Sequence, residues 1–216
     1  MVEFTVNDII GENKFPIQKK IEIVESLLMN TNRQGSENML DFFRKSDFYT
    51  APASSKYHSN YEGGLLDHTL LVYSFAMALR QPFIEMNPEF TESLNPVSIT
   101  IAALIHDLCK VNFYQKVDKW AKDDHNNWVS YTGYTFDDPF PVGHGEKSII
   151  MSQIIKFDLT VDEMLAIRYH MGFWGGETNQ ELKSTQAKAI EKTPLVLLLQ
   201  MADYAASQKL EITIKH

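Results

Sequence analysis

Six residues of this chain carry side chains that bind metal ions, and four of them stand where the surrounding sequence calls for apolar ones. His68 falls on the stripe Leu65, His68, Val72, Phe75, Leu79, one face of a helix, so an imidazole replaces a core side chain. A histidine bonded to a backbone carbonyl in the core is the alternative for this position taken alone. His106-Asp107 ends the run Ile101-Ala102-Ala103-Leu104-Ile105, which is apolar on nearly every side. A buried carboxylate needs a cation, a dense set of donors or a metal, and neighbours in a helix pair poorly with each other. Asp203 repeats the pattern within Leu195-Val196-Leu197-Leu198-Leu199-Gln200-Met201-Ala202-Asp203-Tyr204, where a nearby Arg or Tyr is the alternative partner. His144 stands between Gly143 and Gly145, which let the backbone approach something closely. His170 closes the run Met164-Leu165-Ala166-Ile167-Arg168-Tyr169.

Four imidazoles and two carboxylates exceed what one tetrahedral site uses and suit two metals sharing a carboxylate. Imidazole suits Zn, Fe, Ni and Cu, and carboxylate extends the range to Mn and Mg. Of the remaining histidines, His58 precedes the Gly63-Gly64 turn and is a candidate for the site's edge. His125 lies in a polar run and His216 is the last residue.

Helices must position these groups. Ile17, Ile21, Val24 and Leu28 recur at helical spacing, so a helix is expected over about residues 16–29. Others are expected at about 36–44, from Leu65 to before Pro82, from after Pro96 to Lys110, and at 146–156, 161–171, 178–192 and 194–207. Residues 50–64 read as a loop. Residues 112–143 break the helical pattern with many aromatic residues and turn formers, which predicts a short hairpin or long loop. Its rings can stack on a nucleic-acid base or simply pack together.

In this order the residues resemble the HD superfamily of metal-dependent phosphohydrolases. His144 and His170 match the extra histidines of its binuclear members. Tyr57-His58-Ser59-Asn60-Tyr61-Glu62-Gly63-Gly64-Leu65-Leu66-Asp67-His68, Ala103-Leu104-Ile105-His106-Asp107-Leu108-Cys109-Lys110 and Gly143-His144-Gly145-Glu146 are similar to the HD domain of bacterial 3′→5′ exoribonucleases. The resemblance covers about residues 36–207. It departs at Cys109, where glycine is usual, and about 35 residues precede it, which leaves no room for the exoribonucleases' N-terminal binding barrel.

The resemblance implies an all-α HD-domain bundle over residues 36–210, with residues 1–35 a helical extension and the hairpin an insertion. It also implies hydrolysis of a phosphate ester by a hydroxide bridging two divalent ions (Mn, Fe, Mg, Ni or Co). The expected ligands are His68, His106, Asp107, Asp203, His144 and His170, with Asp107 shared. Lys110, Lys147, Arg168 and His58 are expected to bind substrate, and Asp107 and Lys110 to act in catalysis. A di-iron oxygenase on the same ligands is the competing enzyme class, and a non-catalytic nucleotide-binding module the competing binding class.

Composition narrows the partners. The chain has 216 residues, 44% hydrophobic and 22% charged, with a net charge of −8. That balance disfavours an extended duplex, so among the nucleotide-type phosphate esters that the resemblance implies, a small nucleotide or the 3′ end of a short single strand is expected. No apolar run approaches the roughly 20 residues of a membrane helix. One cysteine and no signal pattern lead to a cytoplasmic expectation.

Overall fold

The computed structural model describes residues 4–172 and 180–211, apart from the side chains of residues 180–182. Both His216 and the expected helix start at Thr178 lie outside these residues. The chain is mostly helical, with one two-stranded sheet. In order come α1 (Val6–Ile10), α2 (Ile17–Asn30), α3 (Ser36–Lys45), α4 (Gly64–Met86), α5 (Phe90–Ser93) and α6 (Pro96–Ile105). The hairpin β1 (Tyr114–Lys122) and β2 (Trp128–Phe136) follows, then α7 (His144–Ile155), α8 (Val161–Tyr169), α9 (Gln180–Lys192) and α10 (Pro194–Ala205).

Helix α6 is the central element. Every residue from Ser98 to Ile105 is buried, and α4, α8, α2, α10 and α7 pack around it. Its start follows the usual chemistry: Asn95 accepts from the Ser98 amide at 2.9 Å, and Pro96 needs no amide partner in the first turn. A capping box between Thr160 and Glu163 starts α8. The buried Glu163 carboxylate also accepts from Arg33 and Ser98, at 2.7 and 2.8 Å, so it joins the start of α8 to α6 and to the turn between α2 and α3.

Two boundaries differ from expectation. Helix α4 runs through Pro82 to Met86. A proline there removes the bond to the Ala78 carbonyl, and Ala78 is exposed, so water can take its place. Helix α6 stops at Ile105 rather than at Lys110; Asp107 turns out of helical geometry (φ −105°, ψ 18°), and Leu108–Lys110 form a tight turn. Short helices α1 and α5 had no clear periodic signal.

The aromatic segment is an antiparallel hairpin in register from Tyr114↔Phe136 to Lys122↔Trp128. Asp123 Oδ1 accepts from the His125 and Asn127 amides and shapes its tip, with Asn126 at φ +66°. Trp120 and Trp128 are each 64% exposed.

Helices α1 and α2 join α4 through a buried charge. Lys20 Nζ donates to the Ile9 carbonyl and the Asp67 carboxylate, both at 2.6 Å, and Tyr61 donates to the other Asp67 oxygen at 3.0 Å. Removing one partner of a buried pair costs about 3–5 kcal/mol, because the other charge is left desolvated. Lys20→Met, which keeps the aliphatic stem, is therefore expected to lower unfolding free energy by that amount in chemical denaturation. Adding Asp67→Leu should recover part of it. A loss below about 1 kcal/mol would show the pair to be energetically idle.

Candidate metal centre

The six expected ligands converge. His68 comes from the second turn of α4, His106 and Asp107 from the end of α6, His144 from the first residue of α7, His170 from the end of α8 and Asp203 from α10. His106, Asp107, His68 and His170 are at most 3% exposed. The early end of α6 matters here. In a continuing helix adjacent side chains diverge by about 100°. With the chain bent at Asp107, His106 Nε2 and Asp107 Oδ2 lie 3.5 Å apart.

Asp107 stands in the middle, and its two oxygens divide the histidines. His68 Nε2 and His106 Nε2 lie 3.2 and 3.5 Å from Oδ2. His144 Nε2 and His170 Nε2 lie 2.8 and 3.7 Å from Oδ1. Asp203 Oδ1 is 3.3 Å from His68 Nε2.

The other ring nitrogens are engaged elsewhere. His106 Nδ1 lies 2.8 Å from the Ala103 carbonyl, and His170 Nδ1 2.7 Å from that of Ile167. A carbonyl only accepts, so both rings carry their proton on Nδ1 and turn an Nε2 lone pair inward. His68 Nδ1 meets the Glu211 carboxylate at 2.5 Å, and His144 Nδ1 lies 3.3 Å from Cys109 Sγ. Among the described residues, His170 Nε2 is buried without a hydrogen-bond partner. His68 Nε2 and His106 Nε2 face each other at 3.0 Å. Lone pairs so arranged call for a cation between them.

Electrostatics agree. Burial holds His106 and His144 below the usual histidine range, in the neutral form that binds metal. Burial opposes charge on Asp107, but Lys110 and His106 hold it well below the carboxylate range. Asp203 is likewise held at about 2, by His68 against burial. His68 is the exception: Glu211, Asp107 and Asp203 overcome burial and raise it well above its ordinary value. The buried His/Asp groups can hold metal ions; His68, His106 and Asp107 form one set, and Asp107, His144 and His170 another.

The close approach of α7 and α8 depends on Gly145. A Cβ at this position would stand 2.6 Å from both the Ile167 and Arg168 carbonyl oxygens. The Ile167 carbonyl is the one that orients His170.

A cleft of about 910 Å³ opens over the centre. Asp107, His144, His170 and Asp203 form its floor, with Lys110, His58, Tyr57 and the α10 residues Leu197, Met201 and Tyr204 around them. Lys110 Nζ lies 2.5 Å from Asp107 Oδ2 and stays charged, since Asp107 outweighs burial.

Two expected substrate cations are placed otherwise. Lys147 is buried against Asp138 and over the Phe113 ring, and Arg168 Nε pairs with Glu146 at 2.5 Å. Neither lines the cleft; each is engaged by its acid instead. Among the described residues, the hairpin contributes nothing to the cleft wall. His125 is at its tip. Glu211, which sequence reasoning passed over, accepts from His68 and His58 with its carboxylate fully buried.

Among the described residues no helix is long and apolar enough to cross a membrane. No protein-family model matches the chain, and no solved structure does. A stretch of 125 residues, 56% of the chain, is 28% identical to the dihydroneopterin 2′,3′-cyclic phosphate phosphodiesterase of Methanocaldococcus jannaschii. The match spans 42% of that relative's length, so this chain is similar over part of its sequence to a curated phosphodiesterase.

Proposed function

We propose that this chain is a phosphohydrolase of the HD type that uses two divalent cations to cleave a small phosphate ester. One observation carries the reading: four Nε2 atoms face the two oxygens of a single buried carboxylate, two to each side. On this reading His68, His106, Asp203 and Asp107 Oδ2 hold one cation, and His144, His170 and Asp107 Oδ1 hold the other. Mn, Fe, Mg, Ni and Co all suit such a set. When bound, the pair supplies an acidified water and neutralises charge on the phosphate.

The chain's own residues do the rest. Lys110 offers an ammonium to a phosphate oxygen at the edge of the centre. His58 lines the cleft beside it. Leu197, Met201, Tyr204 and Tyr57 give an exposed apolar wall suited to a flat heterocycle. The similar relative acts on a cyclic phosphate, and the cleft of about 910 Å³ has room for a cyclic phosphodiester or nucleotide. This is preferred to the 3′ end of a single strand because Trp120 and Trp128 stand outside the cleft wall. Residues 36–210 are assigned as the catalytic unit, and residues 1–35 as an extension whose helices α1 and α2 pack on α4.

Two measurements test this. Nucleoside 2′,3′-cyclic phosphates, nucleoside monophosphates and short oligonucleotides are screened against each metal. Turnover of a cyclic phosphate or nucleotide, abolished by chelator, is expected; no turnover by protein with metal bound would contradict hydrolysis, and oxygen uptake by the iron form would point to an oxygenase. Metal should also stabilise the fold: a cation at 100 times its Kd adds about 2.7 kcal/mol, or about 5–10 °C in Tm for a domain of this size. A Tm indifferent to chelator would make the cluster purely structural.

A further inference from the structure

The geometry points to Glu211 as a positioning residue for the metal centre: its carboxylate fixes the His68 ring so that Nε2 is presented to the cation. This rests on the two-cation reading above. Glu211 follows a wide turn over residues 206–210, closed by its own amide bonding to the Ala206 carbonyl at 3.1 Å. The turn packs on α4 and returns the chain to His68. There Glu211 Oε1 meets His68 Nδ1 at 2.5 Å and Oε2 meets His58 Nδ1 at 2.8 Å. The side chain is 0% exposed, and neither carboxylate oxygen lacks a partner.

A fully buried carboxylate accepting from two rings has a specific consequence. An ionised carboxylate has no proton to give, so both histidines must carry theirs on Nδ1. In the neutral His68 ring, the form that takes a cation, Nε2 is then the bare nitrogen, within 3.0–3.3 Å of His106 Nε2, Asp107 Oδ2 and Asp203 Oδ1. His106 and His170 are fixed in the same way by backbone carbonyls of their own helices. His68 lies well inside α4, and its ring takes a side-chain acceptor from 143 positions further along the chain. A carboxylate behind a metal-binding imidazole also makes the ring a stronger donor to the ion. The same carboxylate holds His58 at the cleft edge, so one residue sets both a metal ligand and a wall residue.

Mn²⁺ affinity and stoichiometry, measured on the wild type, Glu211→Gln and Glu211→Ala, test this together with the ring-proton NMR signals of the Zn²⁺-loaded proteins. Glutamine keeps the shape but offers one carbonyl oxygen to two donors. Both variants should bind Mn²⁺ about 10–100-fold more weakly at unchanged stoichiometry. Zn²⁺-loaded wild type should show a slowly exchanging His68 Nδ1 proton that is lost in Glu211→Ala. That signal is read on unmutated protein, so it stands even where a variant folds poorly. A mere tether would lower the melting temperature of the metal-free protein and leave Mn²⁺ affinity within twofold, which would overturn the proposal. His58, His68 and Glu211 also have ligand atoms close enough to share an ion. Loss of one whole ion with the other affinities unchanged would make Glu211 a ligand, and would overturn it too. A wild type that binds no Mn²⁺ overturns the two-cation reading itself, whereas equal affinities overturn only the role of Glu211.

Discussion

Asp107→Ala should abolish metal-dependent hydrolysis and, in the same protein, the thermal stabilisation that metal confers. Among the described residues Asp107 is the one group within reach of all four imidazoles, and it also engages Lys110. Without it neither cation keeps a shared ligand, and Lys110 loses its counter-charge in a buried place. Loss of one preorganised charged group at a reacting centre costs about 10²–10³ in rate; loss of a ligand common to two metals should reach at least that. Asp107→Asn keeps the shape but also leaves Lys110 without its counter-charge, so it should fold, melt below the metal-free wild type and fail to respond to metal. Activity within tenfold of wild type in either variant would remove Asp107 from the chemistry.

Gly145→Ala is the second large effect, and it comes from a methyl group. The added Cβ would meet two backbone carbonyls at 2.6 Å, and backbone cannot swing aside as a flexible side chain can. Helix α7 must draw back from α8, moving His144 and disturbing the Ile167 carbonyl that orients His170. Overpacking of this kind costs about 1–3 kcal/mol, and displacement of both rings should weaken the ion on the Oδ1 side of Asp107 by on the order of 10–100-fold. The ion on the Oδ2 side, held by α4, α6 and α10, should keep its affinity. Mn²⁺ titration resolves the two: a single weakened site is expected, and two unchanged sites would show that α7 and α8 accommodate the methyl.

The residues that converge were legible where an apolar surrounding exposed them. His68, His106, Asp107 and Asp203 interrupt apolar stretches where an unpartnered polar group would be costly, and the glycines around His144 signalled close approach. Gly145 bears that out directly. The bend after Ile105 was hidden, since Leu108 and Cys109 continue the apolar pattern while the backbone leaves the helix at Asp107. Substrate cations were harder still. Lys147 and Arg168 have suitable spacing, but Asp138 and Glu146 claim them, and such pairing depends on tertiary placement. Glu211 lies beyond the last apolar helix, between Leu210 and Ile212, where nothing local names its partner; only the turn over 206–210 brings it to His68. The turn residues of the aromatic segment announced a hairpin or a long loop, but nothing in its composition could tell which of them it is or which way it projects.

The most direct test of the two-cation centre is anomalous diffraction from crystals of the Mn²⁺-loaded protein. Two peaks about 3.5–4 Å apart are predicted, flanking the Asp107 carboxylate, one beside His68, His106 and Asp203 and the other beside His144 and His170. No peak at Asp107, or a peak confined to His58, His68 and Glu211, would contradict the account.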